Sequence, residues 1–261
     1  MIHDTRRVAM SFINNVPKED ERISTGYDIL DKILNGGFPW PSSILLIGPI
    51  GIGKTSLAQG FVWSCLNKGK SVLYVTVDTP PTDIIKNMMS FGWDPRSFID
   101  SGQLVFIDGF SPRVGLETMA KYIINDPFSV DDTLHSLLFA ESETLREGGG
   151  VMVFSHLSTI MFTWHRREII KFMERMHADT RKFNAVYLFI YNENVKDKQI
   201  ENFLAQTTDV VIRTAKEWLN NKVALYLWIE KCLKTIYEKK KLRYYIEKGR
   251  IRIVENGDRY E

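Results

Sequence analysis

The sequence has few cysteines and little net charge. The first argues against a disulfide-stabilised or cysteine-ligated metal protein, and the second against a general polyanion-binding protein. Two cysteines among 261 residues, Cys65 and Cys232, are too few for a disulfide framework. They also lack the spacing of a metal site. Such cysteine usage suits a reducing compartment. The net charge of only +2 gives the chain no overall signature of a polyanion-binding protein.

Long apolar runs are missing too. The longest, from Val151 to Trp164, is interrupted by Ser155, His156 and Ser158. It is too short to cross a bilayer. The N-terminal residues lead into no long apolar segment, so the sequence predicts no signal peptide. We therefore expect a cytoplasmic protein with no membrane insertion.

What remains is an ordinary globular composition, 44% hydrophobic and 25% charged. The length allows one large α/β domain. We divide the chain into an N-terminal arm over residues 1–22, a main domain over 23–254 and a tail over 255–261. A glycine-rich motif near residue 50 indicates what the main domain binds.

This motif fits the phosphate-binding pattern G-x-x-x-x-G-K-[ST]. Its residues are Gly48, Pro49, Ile50, Gly51, Ile52, Gly53, Lys54 and Thr55, followed by Ser56. An apolar run of strand length precedes it, and apolar residues at helical spacing follow it. In this context the loop N–H groups and the helix N-terminus converge on an anion. Lys54 is expected to reach the β- and γ-phosphates of ATP, and the Thr55 hydroxyl to bind Mg²⁺.

Strand and helix patterns alternate along the rest of the chain. Buried strands are predicted over 43–47, 71–77, 104–107, 151–154 and 185–191, and shorter ones over 210–212 and 223–228. Helices are predicted between most of them, including one over 115–125 and one capped by Asp131 and Asp132. The alternation predicts an α/β fold whose mostly parallel central sheet has helices on both faces.

Ligands of such sheets bind at the carboxyl ends of the strands. Lys54, Asp78, Asp108 and Ser155 all follow predicted strands. They are therefore the candidates to converge on one site. Ser155 and His156 are adjacent, and adjacent residues on a strand point to opposite faces. We therefore do not expect them to act as a pair, and His156 and His165 have no partners at metal-ligand spacing.

Three segments resemble the KaiC-like and RadA-like ATPases of the RecA superfamily, of archaeal type. They are Ile23-Ser24-Thr25-Gly26 with Gly36-Gly37-Phe38-Pro39, Val75-Thr76-Val77-Asp78-Thr79-Pro80-Pro81, and Phe91-Gly92-Trp93-Asp94. The resemblance covers residues 23–254 and is strongest in the first third. It implies a RecA-like P-loop core with C-terminal antiparallel strands. It also implies ATP, Mg²⁺ and a homo-oligomer, a hexameric ring or a dimer.

The sequence departs from this family where water is activated. KaiC-type enzymes carry two adjacent glutamates after the second core strand, and here those positions hold Asp78 and Thr79. Asp78 remains a candidate general base, although its side chain is one methylene shorter than that of glutamate. A misplacement of about 1 Å can cost on the order of a hundredfold in rate.

A second departure concerns the Walker B acid, which supports Mg²⁺ in the family. The resemblance puts Ser155 at this position, and a serine can hold a water but supplies no charge. Asp108 matches a Walker B acid by simple pattern, but strand order assigns it to the preceding strand of the family. We favour Ser155 as the equivalent. ATP binding should then survive while hydrolysis is slow or absent.

Lys231 and Lys234 follow a late strand. In KaiC-like rings a basic pair in this region reaches the γ-phosphate bound by the neighbouring subunit, and Lys231 matches the lysine of that motif. Leu233 stands where the arginine would be. A solvated basic edge is an equally good interpretation of these lysines.

The C-terminal region is basic, with tyrosines interleaved. Its residues are Lys239, Lys240, Lys241, Arg243, Tyr244, Tyr245, Lys248, Arg250 and Arg252. One interpretation is a nucleic-acid contact. We favour a hairpin that turns near 247–250 and whose charged outer faces protect a sheet edge.

Three functions are therefore considered. The first is a nucleotide-dependent switch or assembly module with weak or no hydrolysis. The second is an active ATPase with Asp78 as its base. The third is a RadA-like accessory protein that binds DNA in recombination or repair. We favour the first, because the phosphate loop is intact while the hydrolytic residues differ.

Overall fold

A computed structural model describes residues 21–145, 149–219 and 221–255. The predicted arm and tail lie, apart from residues 21, 22 and 255, outside the described residues. The helices are α1 (Asp28–Ile33), α2 (Lys54–Asn67), α3 (Pro81–Ser90), α4 (Arg96–Asp100), α5 (Val130–Thr144), α6 (Leu157–Met161), α7 (Arg166–Lys182) and α8 (Lys198–Thr207).

The strands alternate with these helices as far as residue 207 and follow one another directly from residue 210 onward. They are β1 (Arg22–Ile23), β2 (Phe38–Pro39), β3 (Ser42–Gly48), β4 (Val72–Thr76), β5 (Leu104–Asp108), β6 (Tyr122–Ile123), β7 (Val151–Phe154), β8 (Val186–Asn192), β9 (Val210–Leu219), β10 (Lys222–Cys232), β11 (Lys241–Glu247) and β12 (Arg250–Val254).

Within the described residues, β3 to β12 form one ten-stranded sheet in the order β12-β11-β10-β9-β3-β8-β7-β4-β5-β6. The pairs from β9 to β6 are parallel. Strands β9 to β12 pair antiparallel in sequence order. The prediction of a mostly parallel α/β sheet with C-terminal antiparallel strands is confirmed.

The core lies on both faces of this sheet. On the phosphate-loop strand, Ile44 and Leu46 pack with helix α2 on one face. Leu45 and Ile47 pack with helices α5 to α8 on the other. Neighbouring side chains on a strand point to opposite faces, so a strand covered on both sides must be apolar throughout. This explains why the central strands read as continuous hydrophobic runs.

Two local predictions were wrong. The segment 115–125 is not a helix but contains the short strand β6, which follows a 3₁₀ turn over Pro112–Val114. Helix α5 is capped by Ser129, whose side chain accepts from the N–H of Asp132, and not by the two aspartates. Asp131 and Asp132 lie in the first turn instead, where their negative charge suits the helix dipole. Among the described residues, no helix has the length and apolar character needed to cross a membrane.

Candidate nucleotide site

The phosphate loop connects β3 to α2, as the sequence predicts. The strand ends at Gly48 and the helix begins at Lys54. Gly53 immediately precedes the helix and has a φ of +82°. This left-handed conformation favours glycine, because other residues meet a clash between Cβ and backbone there. The loop thus has the backbone shape that lets its N–H groups and the helix N-terminus face one anion.

Lys54 is the buried cation of the loop. Its Nζ donates to the carbonyl oxygens of Gly48, at 2.8 Å, and of Pro49, at 2.5 Å. Burial lowers the pKa of Lys54 to about 8, and the nearby carboxylate of Glu193 opposes this lowering. A phosphate oxygen is a stronger partner for an ammonium than a neutral carbonyl, because both groups are then charged. The loop fits the triphosphate that the motif predicts.

The C-terminal hairpin, formed by β11 and β12, packs on this loop. The hydroxyl of Tyr244 donates to the carbonyl oxygen of Ile52 at 2.5 Å. A Cβ atom at position 53 would lie 1.8 Å from Cδ1 of Ile246. The backbone conformation favours glycine at position 53, and any larger residue there would also have to displace the side chain of Ile246. The last strands of the chain contribute directly to the shape of the phosphate loop.

Ser155 and His156 follow strand β7, and the chain turns sharply between them. Ser155 is fully buried, and its N–H still donates to the carbonyl oxygen of Val75, which continues the pairing of β7 with β4. His156 has a φ of +61° and stands at the start of helix α6. Strand alternation therefore ends before His156. The premise that the two side chains point to opposite faces was wrong, since Ser155 Oγ lies 2.5 Å from His156 Nδ1.

Asp78 and His156 come together at the same edge of the sheet. The Nδ1 atom of His156 lies 2.7 Å from Oδ1 of Asp78. Thr79 donates to the same oxygen at 3.1 Å, and Thr159 donates to Oδ2 at 3.2 Å. The same Nδ1 atom lies 2.5 Å from Oγ of Ser155, so the imidazole sits between a hydroxyl and a carboxylate. Both oxygens of Asp78 are thus engaged by neighbouring side chains.

The groups near Thr55 differ from those that magnesium prefers. The Nε2 atom of His156 lies 3.5 Å from Oγ1 of Thr55, the predicted cation ligand. Mg²⁺ takes oxygen ligands, and in phosphate sites usually one or two carboxylates. Thr55 fits this pattern. Ser155 and His156 instead offer a hydroxyl and an imidazole on the side where the family has a carboxylate.

Asp108 is not brought to the phosphate loop. Its strand β5 is separated from β3 by β8, β7 and β4. At about 4.8 Å per strand this is roughly 19 Å across the sheet. The buried carboxylate accepts from the N–H groups of Phe110 and Ser111 and from the hydroxyl of Thr118. These contacts give Asp108 a structural role in shaping the loop after β5.

Lys231 caps helix α8 instead of reaching into solvent. Its Nζ donates to the carbonyl oxygens of Ala205, Gln206 and Thr208, at 3.1, 2.8 and 2.6 Å. An ammonium has three donors, so all of them are used within the chain. A contact of Lys231 with a neighbouring subunit's nucleotide would require breaking this cap. Lys234 lies in a turn with a φ of +57°, and its in-trans contact stays a prediction.

The basic C-terminal residues form the favoured hairpin. Arg243 pairs with Val254 and Glu247 with Arg250 in the β11–β12 ladder. Many of the charges are matched within the chain. Lys240 pairs with Glu238 and Glu255, Lys241 with Glu217, and both Arg250 and Arg252 with Glu247. This matching leaves a nucleic-acid contact without structural support.

Three residues near the loop were missed by the sequence interpretation. They are His156, which was discounted, and Thr159 and Glu193, which were not considered. Glu193 follows β8, and its N–H donates to the carbonyl of Gly48. Both His156 and Glu193 follow predicted strands, so the rule that strand ends meet at one edge could have selected them.

Comparison with known proteins agrees with this geometry. The family described as "ATPase: KaiC" matches residues 23–258. A UPF0273 protein of Methanopyrus kandleri is 36% identical over 115 residues, which are 44% of this chain and 46% of that protein. The circadian clock oscillator protein KaiC of Parathermosynechococcus lividus is 33% identical over 120 residues, 46% of this chain and 21% of that protein. The chain thus aligns with less than half the length of these relatives.

The fold is similar to that of a solved structure. The crystal structure of a KaiC-like protein from Pyrococcus horikoshii OT3 superposes with a TM-score of 0.72. The superposition covers 89% of this chain and 98% of that one, at 21% sequence identity. At this identity the likeness supports the RecA-like fold alone. Because the family match spans nearly the whole chain, this protein belongs to the KaiC family of ATPases.

Proposed function

We propose that this chain binds ATP together with a divalent cation and works as a nucleotide-dependent switch or assembly module. Hydrolysis is slow or absent. The observation that carries the proposal is the contrast within one site. The loop around Lys54 has the shape and charge for a triphosphate, while the position expected to hold the Walker B carboxylate is Ser155, a residue without charge. Family membership supports nucleotide binding and assembly into a homo-oligomer.

Lys54→Ala is expected to weaken ATP binding about ten- to hundredfold. The variant loses a charge-assisted contact to the phosphates, and such contacts contribute about 1.5–3 kcal/mol. Calorimetric titration with ATP measures this directly. Lys68→Ala is the matched control, because Lys68 is an exposed lysine at the other end of the same helix. Equally weak binding by the wild type and Lys54→Ala would refute the proposal.

Steady phosphate release by the wild type is expected to stay at background. Asp78 occupies the position of a catalytic glutamate with a shorter side chain, and His156, Thr79 and Thr159 hold its oxygens. Phosphate release should be followed in a preparation that is competent to form oligomers, with Asp78→Asn measured alongside. A clear rate that Asp78→Asn abolishes would favour the active ATPase instead.

The DNA-binding alternative is the weakest of the three. It rested on the basic C-terminal residues, and most of their partners are carboxylates of the same region. A protein that neutralises phosphates with these side chains would first have to break those ion pairs. Exposed pairs are weak, at about 0–1 kcal/mol each, so the cost is modest. The specific reason to expect such a contact is nevertheless gone.

A further inference from the structure

We propose that His156 binds, through Nε2, the divalent cation that accompanies the nucleotide. The site then favours a first-row transition-metal ion such as Mn²⁺ or Co²⁺ over Mg²⁺. This inference rests on the nucleotide binding proposed above. Ser155 stands where a carboxylate is expected, so another group must help to bind the cation. The proposal assigns that role to His156.

The position of the imidazole is the first argument. In the phosphate-binding motif the hydroxyl of Thr55 is a cation ligand. Nε2 of His156 lies 3.5 Å from that hydroxyl oxygen. Two adjacent ligands of an octahedral ion, each about 2.1 Å from it, are about 3 Å apart. A movement of roughly half an ångström would let Thr55 and His156 share one ion.

The orientation of the ring is the second argument. Metal-binding histidines commonly donate their other ring N–H to a carboxylate, which fixes the tautomer and makes the ligating nitrogen more basic. In His156 the Nδ1 atom lies 2.5 Å from Oγ of Ser155 and 2.7 Å from Oδ1 of Asp78, and Nε2 lies toward Thr55. Thr159 in turn donates to the far oxygen of Asp78. Ser155 and Asp78 together therefore orient the imidazole with Nε2 toward the predicted cation ligand.

The preference for the type of ion follows from the donor atoms. Imidazole nitrogen suits first-row transition metals, whereas Mg²⁺ is a hard cation that takes oxygen ligands. Nowhere in 21–145, 149–219 or 221–255 do three or more His, Cys, Asp or Glu residues gather as a possible metal site. The protein alone therefore offers too few ligands. The ion would bind together with the phosphates, which complete its shell.

The direct test is electron paramagnetic resonance of Mn²⁺ bound with the β,γ-methylene analogue of ATP. This analogue resists hydrolysis and places no nitrogen in the phosphate chain. Pulsed detection on the full chain should show ¹⁴N coupling from one coordinated imidazole. His156→Ala should abolish the coupling. His135→Ala is the matched control, because His135 is exposed on helix α5 and should leave the coupling unchanged.

Nucleotide affinity gives a second readout. The wild type should bind the analogue more tightly with Co²⁺ than with Mn²⁺, and with Mn²⁺ than with Mg²⁺. His156→Ala should reduce the preference for Co²⁺ over Mg²⁺ by about tenfold or more while keeping Mg²⁺-supported binding, which also shows that the variant folds. Asp78→Asn should weaken Mn²⁺ binding about ten- to hundredfold, as expected for the partner of a metal-binding histidine.

The outcomes separate the two proposals. Tight binding of the analogue without ¹⁴N coupling, or with the same ion preference in His156→Ala, would overturn the role of His156 and leave nucleotide binding intact. Failure to bind the analogue with any of the three ions would overturn both. If His156→Ala does not fold, the wild-type spectrum and Asp78→Asn still decide the question.

Discussion

Asp209→Ala is expected to lower the free energy of unfolding by about 2–3 kcal/mol, because hydrogen bonds to a charged group contribute about 1.5–3 kcal/mol. Asp209 is 5% exposed and lies at the junction of the phosphate-loop strand, helix α7 and strand β9. Its carboxylate accepts from the N–H and Oγ of Ser43, at 2.7 and 2.9 Å. It also accepts from both terminal nitrogens of Arg181, at 3.0 and 2.6 Å. The alanine variant leaves these donors without their shared acceptor.

The pH dependence of this effect has a definite sign. Burial by itself would raise the pKa of Asp209, but the hydrogen bonds from Arg181 and Ser43 outweigh it and hold the pKa below its usual value. A carboxyl with a lowered pKa stabilises the fold above the unfolded pKa and loses that contribution as pH falls through the folded value. The difference between wild type and variant should therefore shrink in acid.

Urea unfolding at pH 7 and at pH 3 measures both effects of Asp209→Ala. The control is Asp131→Ala, which removes an exposed ion pair with Lys171. Such pairs contribute about 0–1 kcal/mol. If Asp209→Ala lowers the free energy of unfolding no more than Asp131→Ala does, the Asp209–Arg181 pair does not stabilise the sheet.

Glu141→Gln is expected to become stabilising relative to the wild type as pH rises, by about 2–3 kcal/mol between pH 5 and pH 8. Glu141 is fully buried on helix α5. Its two carboxylate oxygens have no hydrogen-bond partner among the described side chains and backbone groups. Burial, and next the charge of Asp179, raise the pKa of Glu141 to about 7. The fold thus favours the neutral acid.

A carboxyl with a raised folded pKa costs stability once it ionises. In the wild type this cost develops between the unfolded pKa, near 4.5, and the folded pKa of about 7. Glutamine is neutral at every pH in this range, so the variant does not lose stability through ionisation at this position. Chemical unfolding at several pH values between 5 and 8 tests this, with the exposed Glu174→Gln on helix α7 as control. Parallel stability curves for the wild type and Glu141→Gln would contradict the assignment.

The phosphate loop and the central sheet could be predicted because their signals are local. The motif from Gly48 to Thr55 dictates its own backbone, and the central strands are apolar along their whole length because helices cover both faces. The predicted strand over 151–154 coincides with β7. Strand β9 was predicted too short, since its outer half extends past β3 beside β10, is largely exposed and follows no buried pattern.

The arrangement around His156 could not be predicted, because it depends on one backbone conformation. The residue type of His156 does not predict its φ of +61°. Strand alternation would have directed its ring away from Ser155. The turn directs it toward Asp78 and Thr55 instead. The contacts of Lys231 could not be predicted for a related reason, since they lie on the end of helix α8, for which no helix was predicted.

The packing of the C-terminal hairpin on the phosphate loop has a thermodynamic consequence. Tyr244 and Ile246 touch the loop at Ile52 and Gly53, so a change in the loop's conformation would change its contacts with the hairpin. Linkage between two sites is reciprocal. If nucleotide binding shifts the loop, a partner that binds the hairpin changes the affinity for nucleotide by some factor. Nucleotide then changes the affinity for that partner by the same factor. The outer edge of the sheet is therefore where occupancy of the phosphate loop can be sensed from outside.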